Sequence, residues 1–530
     1  MTAEAVTPYR SQVQAGRDGF VQLVRAEWTK FRTVRGWVIG MLVLVALTVL
    51  IGLAGPLGSS ISCVGPAGTV CHRQAAPAGP SGIPVSDQFS FLHRPLTGNG
   101  SITVRVTSLT GVHPDLQNAP DDQGTTLVSG TVPWSKAGII VKDGTGQGST
   151  YAAMMVTAGN GVRMQYDFTH DTGGIPGTVS ASSPRWLRLS RSGNAITGYD
   201  STDGVHWTEV GTATLTGLPA TVQAGLFAAS PGYTVTQNGF GGSSSQGTSA
   251  QATGTFDNVG LQGGWGTAGW TNTLVGGVDG DPSLPPAVFQ RTSSGFTVSG
   301  SGDIAPEVVG AGSLRKTIGD ALVGAFAGLI AAVVVAAMFI TAEYRRGMIR
   351  VTLAASPRRG RVLAAKAVVV AAVTFVAGLI SAAIAVPLVE HVEQHKGFFV
   401  YPTPVGTQVR VIFGTAALLA VASVFALAVG TIVRRSAGAV AAVIVLIVLP
   451  YILGVASVLP LGPALWMLRL TPAAAFAIQQ SQVRYPQVAT DYLPGGGFFP
   501  LAPWAGFAVL CGYAAVGLGL AFVLVRRRDA

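Results

Sequence analysis

The densest charge in this chain gathers between residues 342 and 366. Glu343-Tyr344-Arg345-Arg346-Gly347 is followed by Arg350, by Pro357-Arg358-Arg359-Gly360, and by Arg361 and Lys366. Within that stretch Glu343 is the single acid facing seven cations. Residues of these types suit charge-assisted contacts: Arg345, Arg346 and Arg350 can dock on an acidic protein rim or on lipid phosphates. Glu343 is expected to pair with nearby arginines and set the direction of the segment. Three other groups invite a chemical reading. Glu390, His391, Glu393 and His395 have spacings that suit metal ligands, but read better as solvated residues at a helix end. Asp200, Asp203 and Glu209 lie close enough in sequence to suggest a glycosidase pair. Asp203, however, precedes Gly204 as a turn residue, and the E-x-D-x-x-E signature of a common hydrolase group is missing. Cys63 and Cys71, eight apart, either close a small disulfide loop of roughly 2–3 kcal/mol or remain two free thiols; Cys511 should be unpaired.

The elements that must position these residues are apolar. The chain has 530 residues, 48% of them hydrophobic and only 11% charged, a composition of membrane proteins. Six apolar runs stand out: Gly36–Leu57, Ala321–Thr341, Ala367–Leu388, Val411–Val433, Ala437–Leu459 and Ala502–Val525. Each would span roughly 31–36 Å as a helix, enough to cross a bilayer core. Of the 34 Lys and Arg residues, 18 fall before the first run, in the 342–366 stretch, at Arg434-Arg435 or at Arg526–Arg528. That asymmetry predicts a multi-pass protein of the cell membrane, with both termini in the cytoplasm and residues 58–318 outside. Net charge +10 does not imply nucleic acid, because the cations sit at membrane edges. About 35 residues precede the first run, which is too long for a cleaved signal and is expected to be a retained anchor. From Phe20 the residues Phe20, Val24, Trp28 and Phe31 recur at helical spacing, and predict an amphipathic helix lying in the inner interface, in contact with the lipid bilayer.

The run Thr341-Ala342-Glu343-Tyr344-Arg345-Arg346-Gly347, with Leu353-Ala354-Ala355-Ser356-Pro357-Arg358-Arg359-Gly360 and Lys366, resembles the elbow of type-two ABC exporter permeases. Ala26-Glu27-Trp28-Thr29-Lys30-Phe31-Arg32 resembles the connecting helix of the same family. The resemblance implies a transmembrane permease subunit, its partners being a separate ATP-binding subunit and a second permease copy or homologue. It also implies that the elbow, 342–366, docks on the ATPase. The P-loop pattern G-x-x-x-x-G-K-[ST] is absent and no Gly-Lys dipeptide occurs, so the chain holds no cofactor and ATP-Mg is expected in the partner. The later apolar runs hold no charge at membrane depth, which argues against a proton- or ion-coupled carrier.

Between the first and second runs the period changes to two. Ile102-Thr-Val-Arg-Val, Gly138-Ile-Ile-Val, Trp186-Leu-Arg-Leu and similar segments, punctuated by turn residues, predict an all-β sandwich. Ser190 to Trp207, with Asp203-Gly204 as its tight turn, is similar to the closing hairpins of concanavalin-A-like, laminin-G-type jelly rolls. The expected organisation is an amphipathic helix and first span over 1–57, an extracellular connector over 58–84 and a jelly roll over 85–261. A membrane-proximal segment over 262–318, with no role assigned, and five further spans over 319–530 complete it. The fold class is an α-helical polytopic membrane domain of six spans with an extracellular β-sandwich inserted after the first. A rival reading is a membrane-anchored surface protein whose sandwich binds glycan or cell-wall polymer.

Overall fold

The computed structural model describes residues 19–58, 76–116, 126–239, 242–277, 284–309, 316–345, 347–348, 359–456, 458–490 and 492–528. Cys63 and Cys71 lie outside the described residues, as do Arg346, Arg350, Pro357 and Arg358 of the elbow.

An amphipathic helix, Phe20–Thr33, leads into the first long helix, Arg35–Gly58. A large β-rich unit follows, and the chain then returns to helices: Ala325–Arg345, Arg359–His395, Val405–Val433, Ser436–Val455 and Pro503–Arg528. Among the described residues, six helices are long and apolar enough to cross a membrane. A bent pair, Leu461–Leu470 and Pro472–Gln479, turns through 97° between the fifth and sixth. The pair breaks at Thr471-Pro472, where proline removes a backbone donor.

The helical unit packs through small residues. A Cβ added to Gly324 would stand 1.9 Å from the Thr48 carbonyl oxygen, and one on Gly328 would stand 2.3 Å from the Thr48 hydroxyl. The backbones of the first and second long helices can approach this closely only because neither residue carries a side chain. Leu44, Leu329, Val333, Phe339, Leu419 and Phe476 share the core that results.

In the β unit, strand Phe89–Pro114 runs through a 14-stranded sheet and is bonded on both sides. Thr221–Ala229, Lys136–Lys142 and Tyr151–Thr157 follow on one side, and Arg185–Ser192, Ala195–Ser201 and Thr208–Thr214 on the other. Every residue of Lys136–Lys142 and of Tyr151–Thr157 is buried. Ile139, Val141, Ala152 and Met154 enter one apolar cluster, whereas Ile140, Tyr151, Ala153 and Met155 enter another. Alternate side chains point to opposite faces of a strand, so both faces of this sheet are covered.

The strands continue past Leu261. Gln251–Trp265 pairs with Phe89–Pro114 and with Gly295–Ser301, and Thr271–Val275 adds to the same sheet. Val85 pairs with Pro306 and Asp87 with Ile304, which brings the entry and exit of the β unit side by side. Two buried ion pairs fasten this hem to the sheet: Lys142 Nζ lies 2.7 Å from Asp87 Oδ2, and Lys136 Nζ lies 2.6 Å from Asp303 Oδ1. Burial raises the Asp87 carboxyl above its ordinary range and lowers the Lys142 ammonium; their mutual attraction opposes both shifts.

The Asp203-Gly204 turn forms with Gly204 at φ +77°. Asp203 Oδ1 accepts from the Val205 and His206 amides, each at 2.8 Å. Those bonds hold 205–206 in the turn, and the next strand begins at Thr208.

Candidate functional site at the helical elbow

The membrane-edge acid Glu343 closes the second long helix and is 5% exposed. A buried carboxylate must find a cation. It finds one across the elbow, at the start of the third long helix: Lys366 Nζ donates to Glu343 Oε1 at 2.6 Å. The same ammonium donates to Glu27 Oε2, also at 2.6 Å, and Glu27 belongs to the amphipathic helix. Lys30, one turn on from Glu27, donates to Glu27 Oε1 at 2.7 Å and reaches Glu343 Oε1 at 3.3 Å. Two acids and two lysines thus tie the amphipathic helix, near the start of the chain, to the two helices that flank the elbow. The Lys366 side chain is fully enclosed, with its ammonium 4.8 Å from the Phe339 ring. Phe31 and Trp37 flank that ring at 5.7 and 5.9 Å.

Among the described residues the partners of Glu343 are Lys30 and Lys366, and not the arginines that the sequence suggested; Arg346, Arg350 and Arg358 lie outside the described residues. Glu27 and Phe31 are buried and Val24 packs partly against the core, but Trp28 is 46% exposed and Phe20 is 38% exposed. Glu27 thereby turns toward Lys366, while Trp28 and Phe20 stay on the open side of the helix. Desolvation pulls Lys30 down, but the bonds and charges of Glu27 and Glu343 outweigh it and leave its ammonium above the ordinary 10.5. That group is therefore charged at any physiological pH.

Other elbow residues are held nearby. Arg434, a helix cap at φ +61°, places its guanidinium 5.0 Å from the Tyr344 ring. Arg345 is exposed, and Gly347 sits at φ +68°, a conformation that other residues adopt with strain. Arg359 Nη1 donates to the Val525 carbonyl at 3.2 Å, joining the far side of the elbow to the end of the last helix. The sequence reading did not single out Lys366 or Lys30 as ion partners. Their signal, a lysine among arginines at a helix start and a lysine three residues after an acid, is weak without the fold.

At the opposite end of the third long helix, Glu393 is 1% exposed, so it is not the solvated residue the sequence suggested. The helix runs on to His395, and the His391 and His395 rings meet 4.3 Å apart, edge to face. In the β unit Asp200 is buried and accepts from the Ile175 amide at 2.9 Å, while Asp203 is committed to its turn.

A family model described as ABC-2 family transporter protein matches residues 154–530, more than two thirds of the chain. No curated protein matches it. Among solved structures, a functionally unknown protein from Saccharomyces cerevisiae is 16% identical, with a TM-score of 0.20, over 36% of this chain and 81% of that one. A GH43 protein of Bacillus licheniformis, BlXynB, is 15% identical, with a TM-score of 0.18, over 31% of this chain and 27% of that one. Scytalido-glutamic peptidase with a transition-state analogue inhibitor is 9% identical, with a TM-score of 0.22, over 41% of this chain and 98% of that one. The apolar helices, the charged elbow between the second and third of them, and the family match together place this chain in the ABC-2 transporter family, as a membrane permease subunit of an ABC transporter.

Proposed function

We propose that this permease is the membrane half of an exporter, energised by a separate ATPase that docks on the cytoplasmic elbow over 342–366. In this reading both termini are cytoplasmic, and the β unit is a jelly-roll ectodomain carried outside between the first two of six spans. The observation that carries it is the buried charge node. Lys366 binds Glu27 and Glu343 at 2.6 Å each, so the amphipathic helix and the two helices flanking the elbow are held in one register. A push on the elbow would reach the first span through the amphipathic helix and the second and third spans directly. ATP chemistry stays in the partner, and this chain converts displacement into a change of helix packing. The ordered paths for a substrate would then lie between Gly- and Ala-rich helices, which suits an apolar or amphiphilic cargo.

The test uses the full transporter complex. Gly347 stands at φ +68°, and proline, fixed near −65°, cannot take its place without breaking the turn. Gly347→Pro should insert and bind the ATPase, yet lose substrate-stimulated ATP hydrolysis. Deletion of the β unit should leave ATPase association intact. Normal transport by Gly347→Pro would refute the coupling role. It would favour the rival reading, a surface protein whose β unit binds glycan or wall polymer.

A further inference from the structure

Of the two ion pairs at the hem of the β unit, Lys142–Asp87 is wholly closed to water. Neither side chain has any solvent exposure, and Nζ stands 2.7 Å from Oδ2. The Tyr151 and Phe168 rings, buried in one apolar cluster, each lie 5.7 Å from the ammonium. Two backbone groups complete the polar surroundings. Lys142 Nζ also donates to the Ser149 carbonyl at 3.0 Å, and Asp87 Oδ2 also accepts from the Gly148 amide at 2.8 Å. These partners serve an ion pair poorly. Among the described residues Asp87 Oδ1 is buried with no hydrogen-bond partner, and the three N–H groups of the ammonium have two acceptors. A buried charge without full compensation favours its neutral form, and burial pushes this acid up and this amine down. Moving one proton from Nζ to the carboxylate sets a neutral amine, the nucleophilic form of lysine, against a neutral carboxylic acid.

We propose that Lys142 and Asp87 condense to an amide, a covalent cross-link between the entry strand Val85–Asp87 and the central strand Lys136–Lys142. Lys142 Nζ adds to Asp87 Cγ, the N–C bond forms and the bond from Cγ to Oδ1 breaks. Oδ1 leaves as water, with the proton of the acid and one proton of the amine, and the step needs no further reactant. The surroundings match the product better than the pair. Oδ2 becomes the amide carbonyl oxygen and keeps the Gly148 donor, which also stabilises the negative charge this oxygen gains as the amine adds. The remaining Nζ–H keeps the Ser149 acceptor. The oxygen without a partner is the one that departs. Contact held by the fold acts as an effective concentration of about 10⁵–10⁸ M, and burial keeps out the water that would reverse the step. Lys136–Asp303 is the contrast. The Asp303 side chain is 12% exposed, and its Oδ1 accepts from the Ile304 amide as well as from Lys136, so that pair stays ionic. The cross-link rests neither on the transport reading nor on the side of the membrane that holds the β unit.

The full chain is purified in detergent, denatured and digested with a protease that cuts after lysine and arginine, and the peptides are weighed by mass spectrometry. Lys142 should resist cleavage in most of the protein. One branched peptide should join the segment holding Asp87 to the segment holding Lys142, lighter than its two parts by one water. Asp87→Ala should be cut after Lys142 and give no branched peptide. The digest is read on denatured protein, so the wild-type result decides even where Asp87→Ala does not fold. Cleavage of the wild type after Lys142, with the two segments recovered apart at their full masses, overturns the proposal. A branched peptide that persists in Asp87→Ala overturns the assignment of the acid. A branched peptide through Lys136 and Asp303 in place of Lys142 and Asp87 overturns the argument from burial.

Discussion

Replacing Lys366 by methionine removes the centre of the charge node and leaves its volume nearly filled. Two bonds of 2.6 Å are lost from an ammonium with no solvent exposure. Hydrogen bonds to charged groups are worth about 1.5–3 kcal/mol each, so the pair is worth about 3–6. Removing one partner of a buried ion pair costs about 3–5 kcal/mol by a separate route, because the remaining charge is stranded. The two ranges overlap near 4 kcal/mol, and for a unit of this size each kcal/mol moves the midpoint by about 2–4 °C. Lys366→Met should therefore lower the midpoint of the detergent-solubilised protein by about 8–16 °C, read by size exclusion after heating. Lys30→Met is the control. Its side chain is 41% exposed and shares the same two carboxylates, yet an exposed pair is worth about 0–1 kcal/mol. If the two variants melt together, the burial argument for Lys366 fails. Glu27→Gln/Glu343→Gln/Lys366→Met, which strands no charge, should recover most of the loss; a triple variant as unstable as Lys366→Met would refute the electrostatic account.

Two further outcomes are expected. With the native cysteines replaced, a cysteine at Ser243 should be labelled by an impermeant reagent on intact cells and one at Ser356 should not; the reverse pattern would invert the topology and remove the elbow from the ATPase side. His93 bonds Gln223 and Thr273, and burial lowers its pKa below the ordinary 6.5. Its contribution to stability is present above 6.5 and lost as pH falls through the depressed value, so the midpoint of the β unit, followed by tryptophan fluorescence, should fall between pH 7 and pH 5. A His93→Gln variant with the same fall would assign that pH dependence elsewhere.

The helices were legible because twenty uncharged residues admit few alternatives, but their ends were not. The apolar run Ala321–Thr341 became a helix over Ala325–Arg345, since Ile318–Ala321 forms a separate turn ahead of it, with Asp320 bonded to the Thr317 amide at 2.7 Å. The run ending at Leu388 continued as helix to His395, because Glu393 has a buried place to occupy there. In the β unit alternation identified the strands of 102–106 and 186–189, where one face meets the core, and a short apolar run identified 138–141, where both faces do. It left 262–318 without a role, because Thr271–Val275 and Gly295–Ser301 owe their place in the sheet to partners 150 or more and about 40 residues away. The charge node was beyond local reading for the same reason. Glu343 and Lys366 are 23 residues apart, and Glu27 and Lys366 are 339 apart. Counted one by one, these lysines look like cations that merely keep a loop inside.

Burying such a node brings little net stability, since the desolvation of four charged groups offsets most of their attraction. An apolar set of the same shape would hold three helices together as well. It would not hold them in one register, because hydrocarbon surfaces slide at small cost, whereas Lys366 can satisfy Glu27 and Glu343 at 2.6 Å in only one arrangement. The triple variant separates these two roles. The neutral side chains it places at positions 27, 343 and 366 can pack, so the fold and its melting point should largely return. The register is no longer specified, so ATP hydrolysis by the bound partner should lose its dependence on substrate. If the triple variant regains both stability and coupling, the node serves only to satisfy its own charges, and displacement at the elbow must travel by another path, for which the Arg434–Tyr344 contact at 5.0 Å is the nearest one.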